Sequence, residues 1–150
     1  HTINYGDTGN HGDTGAFKDR LKELTGGRGA DVVYDPVGGD LFDLSLRCLN
    51  KNGRLLVIGF TSGRIPAAPA NIILLKEIDV VGVFWGAFMA RDPEANRTNF
   101  AELFEMYEKG AIKPRVSATY PLERAAEALN SLLERKATGK VVLTTGHYVS

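Results

Sequence analysis

Residues Gly29 to Phe60 constrain this chain more than any other stretch. The run G-A-D-V-V-Y-D-P-V-G-G, Gly29 to Gly39, is an apolar strand that breaks into a glycine-rich loop. One amphipathic helix follows, and then G-R-L-L-V-I-G-F, Gly53 to Phe60, is a second strand that breaks at another glycine. Open α/β sheets bind ligands at strand ends of this kind, on the carboxyl edge of the sheet. Yet the chain holds no G-x-G-x-x-G, the loop that seats a pyrophosphate at a helix N-terminus. The sequence therefore carries part of a binding site, with the first half of the sheet not represented.

Helical and strand periodicities extend the pattern. Short strands are expected at Thr2–Tyr5, Asp31–Tyr34, Arg54–Ile58 and Val80–Trp85. Helices are expected at Ala16–Thr25, with Phe17, Leu21 and Leu24 on one face, and at Asp40–Leu49, burying Leu41, Leu44 and Cys48. A loop with two prolines, Thr61 to Ala70, precedes a short helix at Asn71–Lys76. Three of the strands are continuous apolar runs separated by helices, which predicts a parallel sheet covered on both faces.

Beyond Val80–Trp85 the character changes. Asp92 and Pro93 start a helix as N-cap and first residue, presenting Phe100, Leu103, Phe104 and Tyr107 until Gly110 stops it. Arg115–Thr119 is a strand, and Pro121 opens a helix with Leu122, Ala125, Ala126, Leu129, Leu132 and Leu133 inward. Gly139 breaks that helix, and Lys140–Thr144 is the last strand. This strand–helix–strand tail departs from the parallel repeat. The division is a Rossmann-like part over about 1–110 and a tail over about 111–150.

Composition closes off several function classes. Eighteen basic residues balance eighteen acidic ones, so there is no electrostatic footprint for nucleic acid or an anionic membrane. No apolar run approaches the ~20 residues that span a bilayer. A single cysteine, Cys48, excludes an internal disulfide and fits a reducing, cytoplasmic setting. It also leaves no zinc-ligand spacing, because His1, His11 and His147 are scattered. No G-x-S-x-G elbow and no Tyr-x-x-x-Lys pair is present. The chain starts at His1 without a signal-peptide pattern, as expected of a processed or excised piece of a longer protein.

Three strand ends carry the candidate site: Val37, Gly38 and Gly39; Ile58, Gly59 and Phe60; and Phe84 with Trp85 before Gly86. Each loop alone is equally a plain turn, but a parallel sheet sets them side by side along one crevice. Asp35 at a strand end is a conceivable general base, although Asp before Pro36 reads more readily as a turn residue. The G-D-T-G sequence occurs twice between Gly6 and Gly15. Asp7 and Asp13 would repel a phosphate there, and Asp7, Asn10 and Asp13 lack the spacing of a calcium loop. That segment reads as a surface loop.

With these residues in view, the sequence resembles the zinc-independent quinone oxidoreductases of the medium-chain dehydrogenase/reductase superfamily. The matching stretches are H-T-I-N-Y, then F-K-D-R-L-K-E-L-T-G-G-R-G-A-D-V-V-Y-D-P-V-G-G, G-R-L-L-V-I-G-F, P-A-N-I-I-L-L-K, V-V-G-V-F-W-G and R-K-A-T-G-K-V-V-L, in that order. The resemblance implies a partial Rossmann-like domain, the C-terminal cofactor-binding portion of an enzyme that passes a hydride from NADPH to a quinone or activated alkene without zinc. It places Val37, Gly38 and Gly39 by the cofactor's central region. Ile58, Gly59, Phe60 and Thr61 would cover the nicotinamide side, and Val83, Phe84 and Trp85 its carboxamide edge. Lys140 would approach from the tail, and Tyr5 would help to bind the adenosine 2′-phosphate. Relatives also pair the strand at 80–85 across a two-fold axis, which implies a homodimer. The family's A-A-G-G-V-G loop and substrate domain are not in this sequence, so the chain alone is expected to be inactive.

Two other classes compete. A-D-V-V-Y-D with L-R-C-L-N-K-N-G-R-L-L-V-I also suits a methyltransferase-like core that uses S-adenosylmethionine, but V-F-W-G and G-K-V-V-L fit it badly. A non-enzymatic module that self-associates through the edge strand is the other reading.

Overall fold

Leu55 is fully buried and lies in the middle strand of a parallel sheet. The computed structural model of the chain describes residues 1–3, 14–134 and 136–146. They fall into two compact units, His1–Ala87 and Phe88–Ser150.

In the first unit, helix α1 (Thr14–Leu24) leads into strand β1 (Ala30–Asp35), helix α2 (Gly39–Cys48), strand β2 (Leu49–Val57), helix α3 (Ala70–Lys76) and strand β3 (Asp79–Gly82). The strands form one sheet in the order β1-β2-β3, both pairings parallel, as the apolar runs and intervening helices predict. Register aligns Val33 with Leu55 and Leu55 with Val80. Onto this row pack Phe42, Leu46, Leu49 and Ile78, with Ile72 and Ile73 at the margin. Burial of each large side chain contributes about 1.5–3 kcal/mol, so this row anchors the unit. Asp40 in the first turn of α2 and Arg47 in the last complement the helix dipole.

Several expectations change. The core residues of α2 are Phe42 and Leu46, with Leu44 and Cys48, whereas Leu41 is only half-buried. Strand β2 begins directly at Leu49, because residues between Leu49 and Arg54 bulge out of register with β1. Asn52 turns that bulge with a positive φ of 61°. Among the described residues, the sheet is covered on one face and not the other. Val33, Leu55, Val57 and Val80 meet the helices, but on the other face Val32 is 60% and Tyr34 67% exposed. Apolar continuity showed that the residues suit burial on either side and could not show what lies there. Thr2 and Ile3 have no regular structure, and Tyr5, Asp7, Asn10, His11, Asp13 and His147 lie outside the described residues.

The largest change is at the third strand. The stretch Val80–Trp85 reads as one strand, but β3 ends at Gly82, and Trp85 is the first residue of helix α4 (Trp85–Arg91). Valine and aromatic residues favour strands wherever they pack on a sheet, and that propensity hid the helix start. Val83 and Phe84 link the two elements.

In the second unit, helix α5 (Pro93–Glu108) starts as predicted, with the Asp92 carboxylate accepting from the Ala95 amide at 3.0 Å. Its apolar face is exposed: the rings of Phe100 and Phe104 lie tilted at 34° with centroids 6.3 Å apart, and Phe104 is 63% exposed. Strand β4 (Val116–Pro121), a 3-10 turn (Leu122–Arg124), helix α6 (Ala125–Leu133) and strand β5 (Lys140–Thr144) complete the chain. β4 and β5 form a separate parallel pair, so the tail is indeed no further repeat of the first sheet. Arg124 stacks over the Tyr120 ring at 5.6 Å. In α6 only Ala128 is buried, and Leu122, Leu129, Leu132 and Leu133 are exposed rather than inward. A two-stranded sheet is too small to cover more than one line of a helix.

Candidate functional site

The site is built at the carboxyl ends of β1, β2 and β3. Asp35 ends β1, and its buried carboxylate Oδ1 accepts from the amides of Val37 and Gly38, both at 2.9 Å. This turn directs the chain into α2 through two residues of positive φ, Gly38 at 69° and Gly39 at 59°. Asp35 thus serves the loop as its acceptor, the turn role its position before Pro36 suggests.

The loop after β2 folds onto the loop after β1. The Ile58 amide donates to the Asp35 carbonyl at 2.9 Å, Thr61 to the Pro36 carbonyl at 3.2 Å and Ser62 to the Val37 carbonyl at 3.0 Å. In return the Gly39 amide donates to the Arg64 carbonyl at 3.1 Å. A β-carbon on Gly38 would meet the Phe60 ring at 2.9 Å, and one on Gly39 would meet the Ser62 hydroxyl at 2.6 Å. Both glycines are therefore required by close approach as well as by backbone angle.

The third strand end joins through the Val83 amide, which donates to the Val57 carbonyl at 2.9 Å. So Val37, Gly38, Gly39, Ile58, Gly59, Phe60 and Thr61 come together in one hydrogen-bonded ledge, with Val83 at its side. Phe84 and Trp85 follow directly, exposed, with the Phe84 ring against Gly86. The exposed Phe60, Val83, Phe84 and Trp85 give this edge apolar, partly aromatic surface. Such an edge suits a flat ring more than a naked charge. Lys140 belongs to the second unit, where its amide donates to the Arg115 carbonyl at 2.7 Å.

Two arrangements escaped the sequence. Arg64 Nη2 reaches Asp40 Oδ1 at 3.0 Å and Asp43 Oδ2 at 2.5 Å, which raises the guanidinium pKa, chiefly through the Asp43 hydrogen bond. Only the i, i+3 spacing of the two aspartates on one helix face hinted at a shared partner. Lys76 Nζ donates to the carbonyls of Leu46, Arg47 and Leu49 at 3.1, 2.8 and 2.6 Å, closing the C-terminus of α2. Among the described residues, no group of three His, Cys, Asp or Glu side chains could hold a metal ion. No described helix is long and apolar enough to cross a membrane.

A sequence-family profile described as "Zinc-binding dehydrogenase" matches residues 1–143. The chain belongs to this family. Its relatives include the quinone oxidoreductase-like protein 2 homolog of Nematostella vectensis, 44% identical over 130 residues, 86% of this chain and 36% of that protein. A mycobacterial protein solved in complex with NADPH superimposes with a TM-score of 0.78 at 35% identity, covering 88% of this chain and 41% of that one. A quinone oxidoreductase of Pseudomonas syringae gives a TM-score of 0.74 at 31% identity, covering 84% of this chain and 39% of that one. The chain thus spans less than half the length of these proteins. Its first unit is the α/β, Rossmann-like arrangement that they share.

Proposed function

We propose that this chain is the C-terminal cofactor-binding portion of an NADPH-dependent oxidoreductase that reduces a quinone or an activated alkene without zinc. The observation that carries the proposal is the ledge at the carboxyl ends of β1 and β2. There two glycine-rich loops are hydrogen-bonded together beside an apolar, aromatic third strand end. The likeness to a structure holding NADPH and to proteins named quinone oxidoreductases supports the choice of cofactor and acceptor.

NADPH, when bound, would supply the hydride that, with one proton from solvent, converts a quinone to its hydroquinone and leaves NADP⁺. The residues here bind and orient. Val37, Gly38 and Gly39 let the backbone approach the cofactor's middle. Ile58, Gly59, Phe60 and Thr61 wall the nicotinamide, and Val83, Phe84 and Trp85 exclude water from its carboxamide edge. Lys140 and Tyr5 are assigned supporting contacts, Tyr5 as one hydrogen-bond donor to the 2′-phosphate. The Asp35 carboxylate is taken up by two loop amides, and on this reading catalysis consists of orientation. The setting is cytoplasmic and the assembly a homodimer, supported by β3 lying at the sheet edge.

The test has two arms. At full length, the protein should oxidise NADPH only when a quinone or enone acceptor is added. This 150-residue chain, lacking a G-x-G-x-x-G loop, should bind NADPH weakly in a fluorescence titration. An acceptor-independent or zinc-dependent activity would overturn the first statement, and micromolar binding by the chain alone the second.

A further inference from the structure

An arginine beside a glycine-rich loop of a nucleotide site is the obvious ligand for a phosphate. The geometry around Arg64 says otherwise. Its Nη2 bridges two carboxylates of α2, Asp40 and Asp43, at 3.0 and 2.5 Å. Two negative charges already surround one positive charge, so a phosphate would have to displace a carboxylate and leave it facing the ligand. The same residue grips the opposite loop through its backbone carbonyl, which accepts from the Gly39 amide at 3.1 Å, while its amide reaches the Ser62 hydroxyl within its own loop at 3.4 Å. It lies four residues beyond Phe60, whose ring rests on Gly38.

We propose that Arg64 is a positioning residue. By tying the loop 58–64 to the first turn of α2, it fixes Phe60 and Thr61 against Gly38 and Gly39 and so sets the width of the cofactor crevice. The proposal rests on the functional reading above and deepens it: the two loops form one rigid wall, and α2 is the post to which it is fastened. Asp40 and Asp43 are then partners in cofactor binding that never touch the cofactor.

The consequence separates positioning from direct contact. If Arg64 held a phosphate, removing its carboxylate partners would free the guanidinium and tighten NADPH binding. If it positions the loop, Arg64→Ala and the double variant Asp40→Ala/Asp43→Ala break the same tie and weaken binding alike. Because no contact to the 2′-phosphate is involved, NADH and NADPH should be affected equally.

The experiment is steady-state kinetics on the full-length protein that carries this chain, with a quinone acceptor and each nicotinamide in turn. Arg64→Ala and the double Asp variant are each expected to raise the KM for both nucleotides about tenfold, with kcat at saturation within about twofold. Arg64→Lys, which can reach one carboxylate but not bridge two, should fall between. A double Asp variant that binds NADPH more tightly would overturn the proposal in favour of a phosphate contact. An Arg64→Ala variant with unchanged KM, in a wild-type protein that is active, would overturn it while leaving the functional reading intact. A wild-type protein without NADPH-dependent turnover would overturn both.

Discussion

The Phe60 ring closes over Gly38 so tightly that a β-carbon at position 38 would come within 2.9 Å of Cδ1, with the Arg64 carbonyl at 3.3 Å. Gly38 also has φ 69° and ψ −153°, a region open essentially to glycine alone. Gly38→Ala should therefore be destabilised by about 1–3 kcal/mol from backbone strain. In urea unfolding this appears as a lower midpoint with an unchanged slope. The double variant Gly38→Ala/Phe60→Ala would recover only the steric part, because the strain at φ remains. Full recovery would show that the ring alone demands glycine.

How much of this was legible follows from the range of each interaction. Periodicity identified α2 and β2 as elements, but it set Leu41, Leu44 and Cys48 on the buried face of α2, while the core cluster around Leu55 takes Phe42 and Leu46. The glycines of the ledge were legible too, since strand–glycine–helix is a local signal. By contrast, Arg64 and Asp43 are 21 residues apart, and Lys76 and Leu46 are 30 apart. No pattern in either segment alone reports a tie that exists only once the sheet aligns them. The start of α4 was missed for a different reason: Val83, Phe84 and Trp85 have side chains that suit a strand, and the ladder continues one bond past Gly82 before the helix wins.

Asp35 separates a structural carboxylate from a catalytic one. Its Oδ1 accepts two loop amides. Asp35→Ala removes the acceptor of both amides and should cost about 1–3 kcal/mol, mostly from the buried Gly38 amide, the Val37 amide being only part-buried. Asp35→Asn keeps an acceptor oxygen and should lose less than half of that. At full length, Asp35→Asn should also keep kcat within about twofold, since a charge-free amide can hold the turn but cannot act as a base. A large loss of kcat in a well-folded Asn variant would make Asp35 the base after all.

Lys76 tests whether one exposed-looking charge fastens α3 to α2. Its ammonium donates to the carbonyls of Leu46 and Arg47, in the last turn of α2, and of Leu49, the first residue of β2. Lys76→Met preserves the stem and removes the donors, and should cost about 1–3 kcal/mol. Exchange of the α2 amides near Cys48 should accelerate in the same variant. Unchanged stability would mean that water replaces the ammonium without loss.

Cys48 lies buried one position before the end of that same helix cap, and burial pushes its thiol pKa above 9.0. The folded chain therefore resists forming the thiolate more than the unfolded chain does. Stability from this group is complete below the unfolded value and declines as pH rises through it toward the folded one. Lys76 works in the opposite sense, since desolvation lowers its pKa below 10.5 and favours the neutral amine in the fold as pH rises. Comparing wild type with Cys48→Ala reads the thiol together with its charge coupling to Lys76. The stability difference between the two proteins should be constant from pH 6 to about 8 and shift against the wild type above about 9. The same burial should make native Cys48 react with a disulfide reagent at pH 8 far more slowly than in urea. Equal rates in the folded and unfolded chain would show that the thiol is open to solvent.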